Sequence, residues 1–209
     1  KQDRYIQIAT SSSKVLLDHI NEALDITRID VGKLELSSQE FNLSDLVETL
    51  VAMLQPLANQ KDVDLRLQLA DNIKSNFMSD SHRIRQILTN LLGNAIKFTD
   101  QGNINFSITG SDGPEISFLH FIISDTGSGI APENHQKIFE DFVAISQGDQ
   151  SQVRGDGIGL HISRKIARLM GGDVTVKSDI GKGPEFTLSL PLERVRKIDD
   201  NVAEPASFP

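Results

Sequence analysis

Residues 80–98, DSHRIRQILTNLLGNAIKF, restrict the possible folds of this chain more than any other segment. They read as an amphipathic helix on which Asn90, Asn94 and Lys97 stand at i, i+4 and i+7, so that all three point one way. Two carboxamides and an ammonium on one helical face offer oxygen and charge suited to a metal ion and a polyphosphate. Two glycine-rich stretches follow, DTGSGI at 125–130 and GDGIGL at 155–160, whose backbone can approach a nucleotide closely. The chain must therefore bury one side of this helix and leave the other facing a pocket.

The 209 residues suffice for one well-buried domain with an appendage. An apolar fraction of 38% with 24% charged residues fits a globular protein. The net charge of −8 argues against a nucleic-acid surface, where basic patches are expected. An acidic chain that binds a polyphosphate has to assemble its positive site from a metal and a few cations. Cysteine is absent, which excludes disulfides and thiolate metal sites. No apolar run reaches the length of a membrane span, and the N-terminus has no signal-peptide layout, so a membrane anchor is expected only in parent segments outside this chain.

Residues 3–31 carry Ile6, Ala9, Ser13, Leu16, Ile20, Ala23 and Thr27 at 3–4 spacing, which predicts a long bundle helix ended by Gly32 and in need of a partner helix. Residues 33–43 read as a connector with a short strand, and Asn42 or Ser44 can cap a helix over about 45–60. Strict alternation at Val63, Leu65, Leu67 and Leu69 marks a half-buried strand. Strands are expected at 103–109 and 116–124 around a Gly113-Pro114 turn, and a short helix near 132–142. The polar stretch SQGDQSQVRGDG predicts a mobile loop before a helix over about 158–170. Strands at 173–178 and 185–191 flank a GKG turn, and the remainder looks like a linker. These elements divide the chain at 1–38, 39–192 and 193–209.

The Walker pattern and the strand-following GxGxxG are both absent, which leaves the P-loop and dinucleotide readings without support. Over about residues 5–191, the asparagine helix, DTGSGI, IFEDF at 138–142 and GDGIGL, in that order, resemble the ATP-binding domain of sensor histidine kinases. That domain lies within the superfamily that includes gyrase, MutL and the heat-shock chaperone ATPases. The resemblance implies an α/β fold of the Bergerat type, a two-layer sandwich of a mixed, mostly antiparallel sheet with helices on one face. The function it implies is transfer of the ATP γ-phosphate to a histidine outside this chain, in a hybrid kinase. ATP and Mg²⁺ would be the cofactors, a response regulator receiver domain the partner, and a homodimer the full-length state. The domain would be cytoplasmic, in a parent anchored in the inner or plasma membrane.

The same resemblance assigns residues. Asn94 takes the place of the magnesium ligand, in keeping with the preference of that ion for hard oxygen, and Asn90 lies near the phosphates or the metal's water shell. Lys97 would contact phosphate. Asp125, at the end of the apolar strand FLHFIIS, would accept the adenine exocyclic amine, while Gly127, Gly129 and Ile130 pass beneath the base. Phe142 belongs to the motif before the ATP lid, where Asp141 replaces the usual proline and where Phe139 and Phe142 serve equally well as core residues. Arg154, Gly155, Gly157, Ile158, Gly159 and Leu160 lead into a helix N-terminus that would hold phosphate. Arginine for the first glycine and Asp156 for threonine depart from the family's GGTGLGL. Gly181-Lys182-Gly183-Pro184 is expected to be a structural hairpin.

No histidine stands in the phosphoacceptor context of the family. His19 belongs to the sequence resembling the second bundle helix, and His82, His120, His135 and His161 show no metal-ligand spacing. Two other readings stay open at this point. A gyrase-type or chaperone-type ATPase needs a water-activating glutamate where Asn90 stands. A degenerate nucleotide-binding interaction module is favoured by Asp141 and Asp156.

Overall fold

The computed structural model describes residues 20, 24–70, 73, 76–111, 116–140 and 159–195. The helix labelled α1 covers residues 24–30. It is followed by β1 (Gln39–Asn42), α2 (Leu43–Asn59), β2 (Val63–Leu69), β3 (Asn76–Ser79), α3 (Ser81–Phe98), β4 (Gly102–Ser111) and β5 (Ile116–Asp125). The last elements are α4 (Gly159–Leu169), β6 (Asp173–Asp179) and β7 (Gly183–Arg194). The strands form one sheet in the order β1-β3-β7-β5-β4-β2, with β6 also on β7. Only β2 and β4 run parallel.

Alternation puts one side of every central strand into the core. In β5 the inward residues are Ser117, Leu119, Phe121, Ile123 and, at the end, Asp125. They stand beside Ile104, Phe106 and Ile108 of β4 and Phe186, Leu188 and Leu190 of β7 in register. Helices α2, α3 and α4 cover this side, and the outer side carries Asp64, Arg66, Thr109, Thr175 and Lys177. The result is the two-layer sandwich expected from the sequence. Pro191 falls between the part of β7 paired with β6 and the part paired with β3, where its missing N–H breaks no ladder.

Helix α3 buries Ile84, Ile87, Leu88, Leu91, Leu92, Ala95 and Ile96 against the sheet and its two neighbouring helices. Both its ends are tied down. Asp80 accepts from the Arg83 N–H at 3.0 Å with one oxygen and from the Ser37 N–H at 3.0 Å with the other. At the far end, Lys61 Nζ donates to the carbonyls of Ile96 and Lys97, each at 2.8 Å, supplying a cation to the negative helix terminus. Asn42 caps α2 by accepting from Asp45 N–H at 3.1 Å.

Three differences from the sequence reading have local causes. The segment near 132–142 forms two 3-10 turns, Pro132–Asn134 and Lys137–Phe139, instead of one helix, because Glu140 turns extended and the His135 ring bonds back to the Ile130 carbonyl. β3 was not expected: four residues with no apolar alternation are too short to signal a strand. β7 continues to Arg194 because β3 pairs with its last residues. Of the helix expected over 3–31, the structure describes 24–30, ending at Gly32 with Gly32 N–H to Ile29 O at 2.9 Å; His19 lies outside the described residues.

A buried ion pair docks α1 on α3. Arg83 donates to Asp25 through both terminal nitrogens, at 2.5 and 3.1 Å, and Gln86 Nε2 donates to the same carboxylate at 3.1 Å. Lys165 of α4 reaches Asp30 on the same helix. Removing one partner of a buried pair strands the other charge. Arg83→Ala is expected to lower the unfolding free energy by about 3 kcal/mol in urea denaturation, with the Asp25→Ala/Arg83→Ala double variant costing less than the sum of the single changes. Additive losses would show that the pair is not coupled.

Candidate functional site

The inward alternation of β5 ends on Asp125, which places a carboxylate among core side chains at the mouth between sheet and helices. It is 5% exposed, and Oδ1 accepts the Gly127 N–H at 2.8 Å. Burial pushes its carboxyl up to about 6 from 3.8, against the opposing pull of the Gly127 N–H and the Thr99 hydroxyl. Above that pH the site holds a poorly solvated hydrogen-bond acceptor.

The turn after Asp125 is fixed from two sides. A side chain at Gly127 would strike the Phe98 carbonyl at 2.8 Å, so the turn lies against the last residues of α3. Gly129 has φ +75 and abuts the Asp179 carbonyl, a position closed to any Cβ. Gly181 N–H donates to Ser128 O at 2.8 Å and Ile130 N–H to Ser178 Oγ at 2.8 Å, anchoring the turn to the β6–β7 hairpin. The GKG segment is thus a structural hairpin, as expected, and it also buttresses the Asp125 turn. Ile130 packs its side chain against the core.

Asn90 and Asn94 project from the middle of α3 toward the start of α4. Asn90 Nδ2 donates to Ser163 Oγ at 2.9 Å, and Asn94 Nδ2 reaches Asn90 Oδ1 at 3.4 Å. Gly159, the first residue of α4, sits so close to Asn90 that a Cβ there would overlap the carboxamide. Leu160 packs against the core. Lys97 is exposed, with Nζ 5.5 Å from the centre of the Phe98 ring. Asn90, Asn94, Gly159 and Leu160 are therefore gathered at one junction, and Asp125, Gly127, Gly129 and Ile130 at the end of α3. Phe142, Arg154, Gly155, Gly157, Ile158, Asp141 and Asp156 lie outside the described residues. Phe139 is buried under the Arg164 guanidinium, whose carbon lies 4.6 Å from the ring centre, so it serves the core.

Sequence reasoning missed Thr99, Ser163 and Ser178. Ser163 carried a signal, a hydroxyl inside the apolar stripe of Ile162, Ile166 and Ala167. Thr99 and Ser178 carried none, since their partners are distant in sequence. Among the described residues no three His, Cys, Asp or Glu side chains gather as a metal site. The donor set still suits magnesium, because the Asn94 carboxamide oxygen has no protein partner among those residues and one hard oxygen completes a shell of phosphate and water. The set also suits adenine, because the buried Asp125 carboxylate offers an acceptor at the mouth between sheet and helices.

A mostly antiparallel sheet roofed by helices, with a buried carboxylate at one strand end and amides facing a helix start, defines a class of nucleotide-binding α/β sandwich. Residues 79–194 match the model of the histidine kinase-, DNA gyrase B-, and HSP90-like ATPase family, and the chain belongs to that family. It is 37% identical over 209 residues to the sensor histidine kinase GacS of Pseudomonas protegens, covering 98% of this chain and 22% of that protein. It is 34% identical over 191 residues to hybrid signal transduction histidine kinase B of Dictyostelium discoideum, covering 91% of this chain and 10% of that protein. The crystal structure of full-length ShkA in complex with AMPPNP superposes with a TM-score of 0.78 at 30% identity, over 94% of this chain and 40% of that one. The chain spans 10 and 22% of the length of these two curated relatives. Among the described residues no helix is long and apolar enough to cross a membrane.

A carboxyl raised by burial adds stability below its unfolded pKa of 3.8 and loses that contribution as pH rises through about 6. Asp125→Asn keeps an acceptor for Gly127 and removes the buried charge. It is expected to be more stable than wild type at pH 8, by up to about 3 kcal/mol in chemical denaturation, with the difference vanishing below pH 4. A difference independent of pH would contradict the burial argument.

Proposed function

We propose that this chain is the ATP-binding catalytic domain of a sensor histidine kinase of the hybrid type. The observation that carries this reading is the buried Asp125 carboxylate at the end of β5, next to the α3 face that presents Asn90 and Asn94 to the start of α4. A carboxylate in that place accepts the exocyclic amine of adenine and repels a base that presents a carbonyl there. Asn94 and Asn90 would hold Mg²⁺ against the phosphates, and Lys97 would add a point charge to them. The start of α4 at Gly159 and Leu160 would lie along the phosphates, where helix amides and the dipole favour negative charge, and the preceding Arg154, Gly155, Gly157 and Ile158 would join them there. Gly127, Gly129, Ile130 and Phe142 would line the base.

Phosphoryl transfer of this kind demands positioning and charge neutralisation more than covalent help from the protein. A nitrogen of the acceptor imidazole would attack the γ-phosphorus as the bond to the bridging oxygen breaks and ADP leaves. The acceptor would come from a bundle helix outside this chain, with residues 1–38 as the second bundle helix and connector, 39–192 as the catalytic domain and 193–209 as a linker. The relatives named as hybrid kinases support a receiver domain as the phosphoryl recipient and a homodimer built through the bundle. A cytoplasmic domain of a membrane-anchored parent completes the reading. An ATPase of the gyrase or chaperone kind is less well supported, because Asn90 carries an amide and not a water-activating carboxylate.

Asp125→Ala removes the acceptor for the adenine amine and is expected to weaken Mg-ATP binding by about 1–3 kcal/mol in calorimetry. GTP should bind wild type poorly. Equal affinities for ATP and GTP would rule out this site.

A further inference from the structure

The carboxamide of Asn90 is engaged on both sides by the protein. Its Nδ2 donates to Ser163 Oγ at 2.9 Å, while its Oδ1 lies against Gly159 and accepts from Asn94 Nδ2 at 3.4 Å. The three side chains form a line that starts inside α4 and ends at the Asn94 oxygen, which has no protein partner among the described residues. Ser163 is the buried end of that line. It is 3% exposed, in the stripe of Ile162, Ile166 and Ala167 that α4 turns to the core, where alanine would bring no hydroxyl to desolvate.

We propose that Ser163 is a positioning residue of the metal site: by holding the Asn90 carboxamide it turns the Asn94 amide nitrogen inward and the Asn94 oxygen toward the metal. This rests on the nucleotide reading above and deepens it. A carboxamide has two orientations of nearly the same shape, and its hydrogen bonds choose between them. A serine inside a helix has the carbonyl one turn back as an acceptor for its proton, which leaves its lone pairs to an N–H from a neighbouring helix. Asn90 then presents nitrogen to Ser163 and oxygen to Asn94. Asn94, one turn further along α3, presents nitrogen to Asn90, and its oxygen is the group left over. Magnesium takes oxygen ligands, so an Asn94 amide turned the other way offers it nothing. A ligand oriented before the metal arrives also binds without the ordering cost of a loose one.

The neighbours of Ser163 on α4 are engaged elsewhere. His161 Nδ1 bonds to the Phe139 carbonyl, Arg164 lies over the Phe139 ring and pairs with Asp173, and Lys165 pairs with Asp30 of α1. Gly159 supplies the space, since a Cβ there would overlap the Asn90 carboxamide and push it away from Ser163. Burial of the opposite face of α3 keeps Asn90 at this junction, so the serine meets an amide whose helix cannot rotate away.

The test uses the full 209-residue chain with Ser163→Ala, Asn94→Ala and the two combined. ATP affinity is measured by calorimetry with magnesium and with EDTA, and the ratio of the two isolates the metal's share. Ser163→Ala is expected to cut that ratio about five-fold and to leave the affinity in EDTA unchanged. Asn94→Ala should cut it at least as far, and Ser163→Ala added to Asn94→Ala should change nothing more, because the serine acts through that oxygen alone. In the nucleotide-free chain the side-chain NH₂ signals of Asn94 should shift and broaden in Ser163→Ala, reporting an amide released to turn. A Ser163→Ala ratio equal to wild type, or Asn94 signals that do not move, overturns the proposal while leaving Asn94 as the metal ligand. Losses that are the same with and without magnesium, or that add in the double variant, make Ser163 a packing residue and overturn it too. A wild-type chain that binds no ATP, or a ratio that Asn94→Ala does not alter, removes the nucleotide reading of this junction and the proposal with it.

Discussion

The burial of one face of α3 governs the rest of the molecule. Seven of its residues, from Ile84 to Ile96, fill the space between the sheet, α2 and α4. Each large apolar side chain removed from water there contributes roughly 1.5–3 kcal/mol. The rotation of the helix is thereby fixed, and with it the direction of the opposite face. Asn90 and Asn94 cannot be turned elsewhere without lifting that apolar face off the sheet. Caps at both ends, Asp80 and Lys61, fix its axial position, so the Phe98 carbonyl meets Gly127 and the middle of the helix meets Gly159. A single packing decision thus aligns the two halves of the site.

The site also answers a problem set by composition. A chain of net charge −8, with 21 lysines and arginines against 29 aspartates and glutamates, has few cations to spare for a triphosphate. Among the described residues at the candidate site, the polar groups are amides, backbone N–H groups and one carboxylate, with Lys61 and Lys97 the cations near the end of α3. On the proposed reading, such a set would select for the base through Asp125 and leave most of the phosphate charge to a metal.

Much of this was legible in the sequence. The helical period around Asn90 and Asn94, the strict alternation of Val63 to Leu69, and the apolar run ending at Asp125 each follow from local patterning, and each holds in the structure. Patterning failed where tertiary contact decides. β3 exists because β1 and the end of β7 hold Phe77 and Met78 between them. The segment at 132–140 breaks into two turns because His135 finds the Ile130 carbonyl. The Asp25–Arg83 pair joins residues 58 apart and leaves no trace in either local stretch.

The most direct test of the account is phosphoryl incorporation from radiolabelled ATP. The 209-residue chain should bind ATP yet acquire no acid-labile phosphate, because on the proposed reading the acceptor imidazole comes from outside it. Joining it to a first bundle helix that carries the acceptor histidine should produce labelling and dimerisation together. Strong self-labelling of the chain alone, abolished by His19→Gln, would contradict the account and make His19 the acceptor.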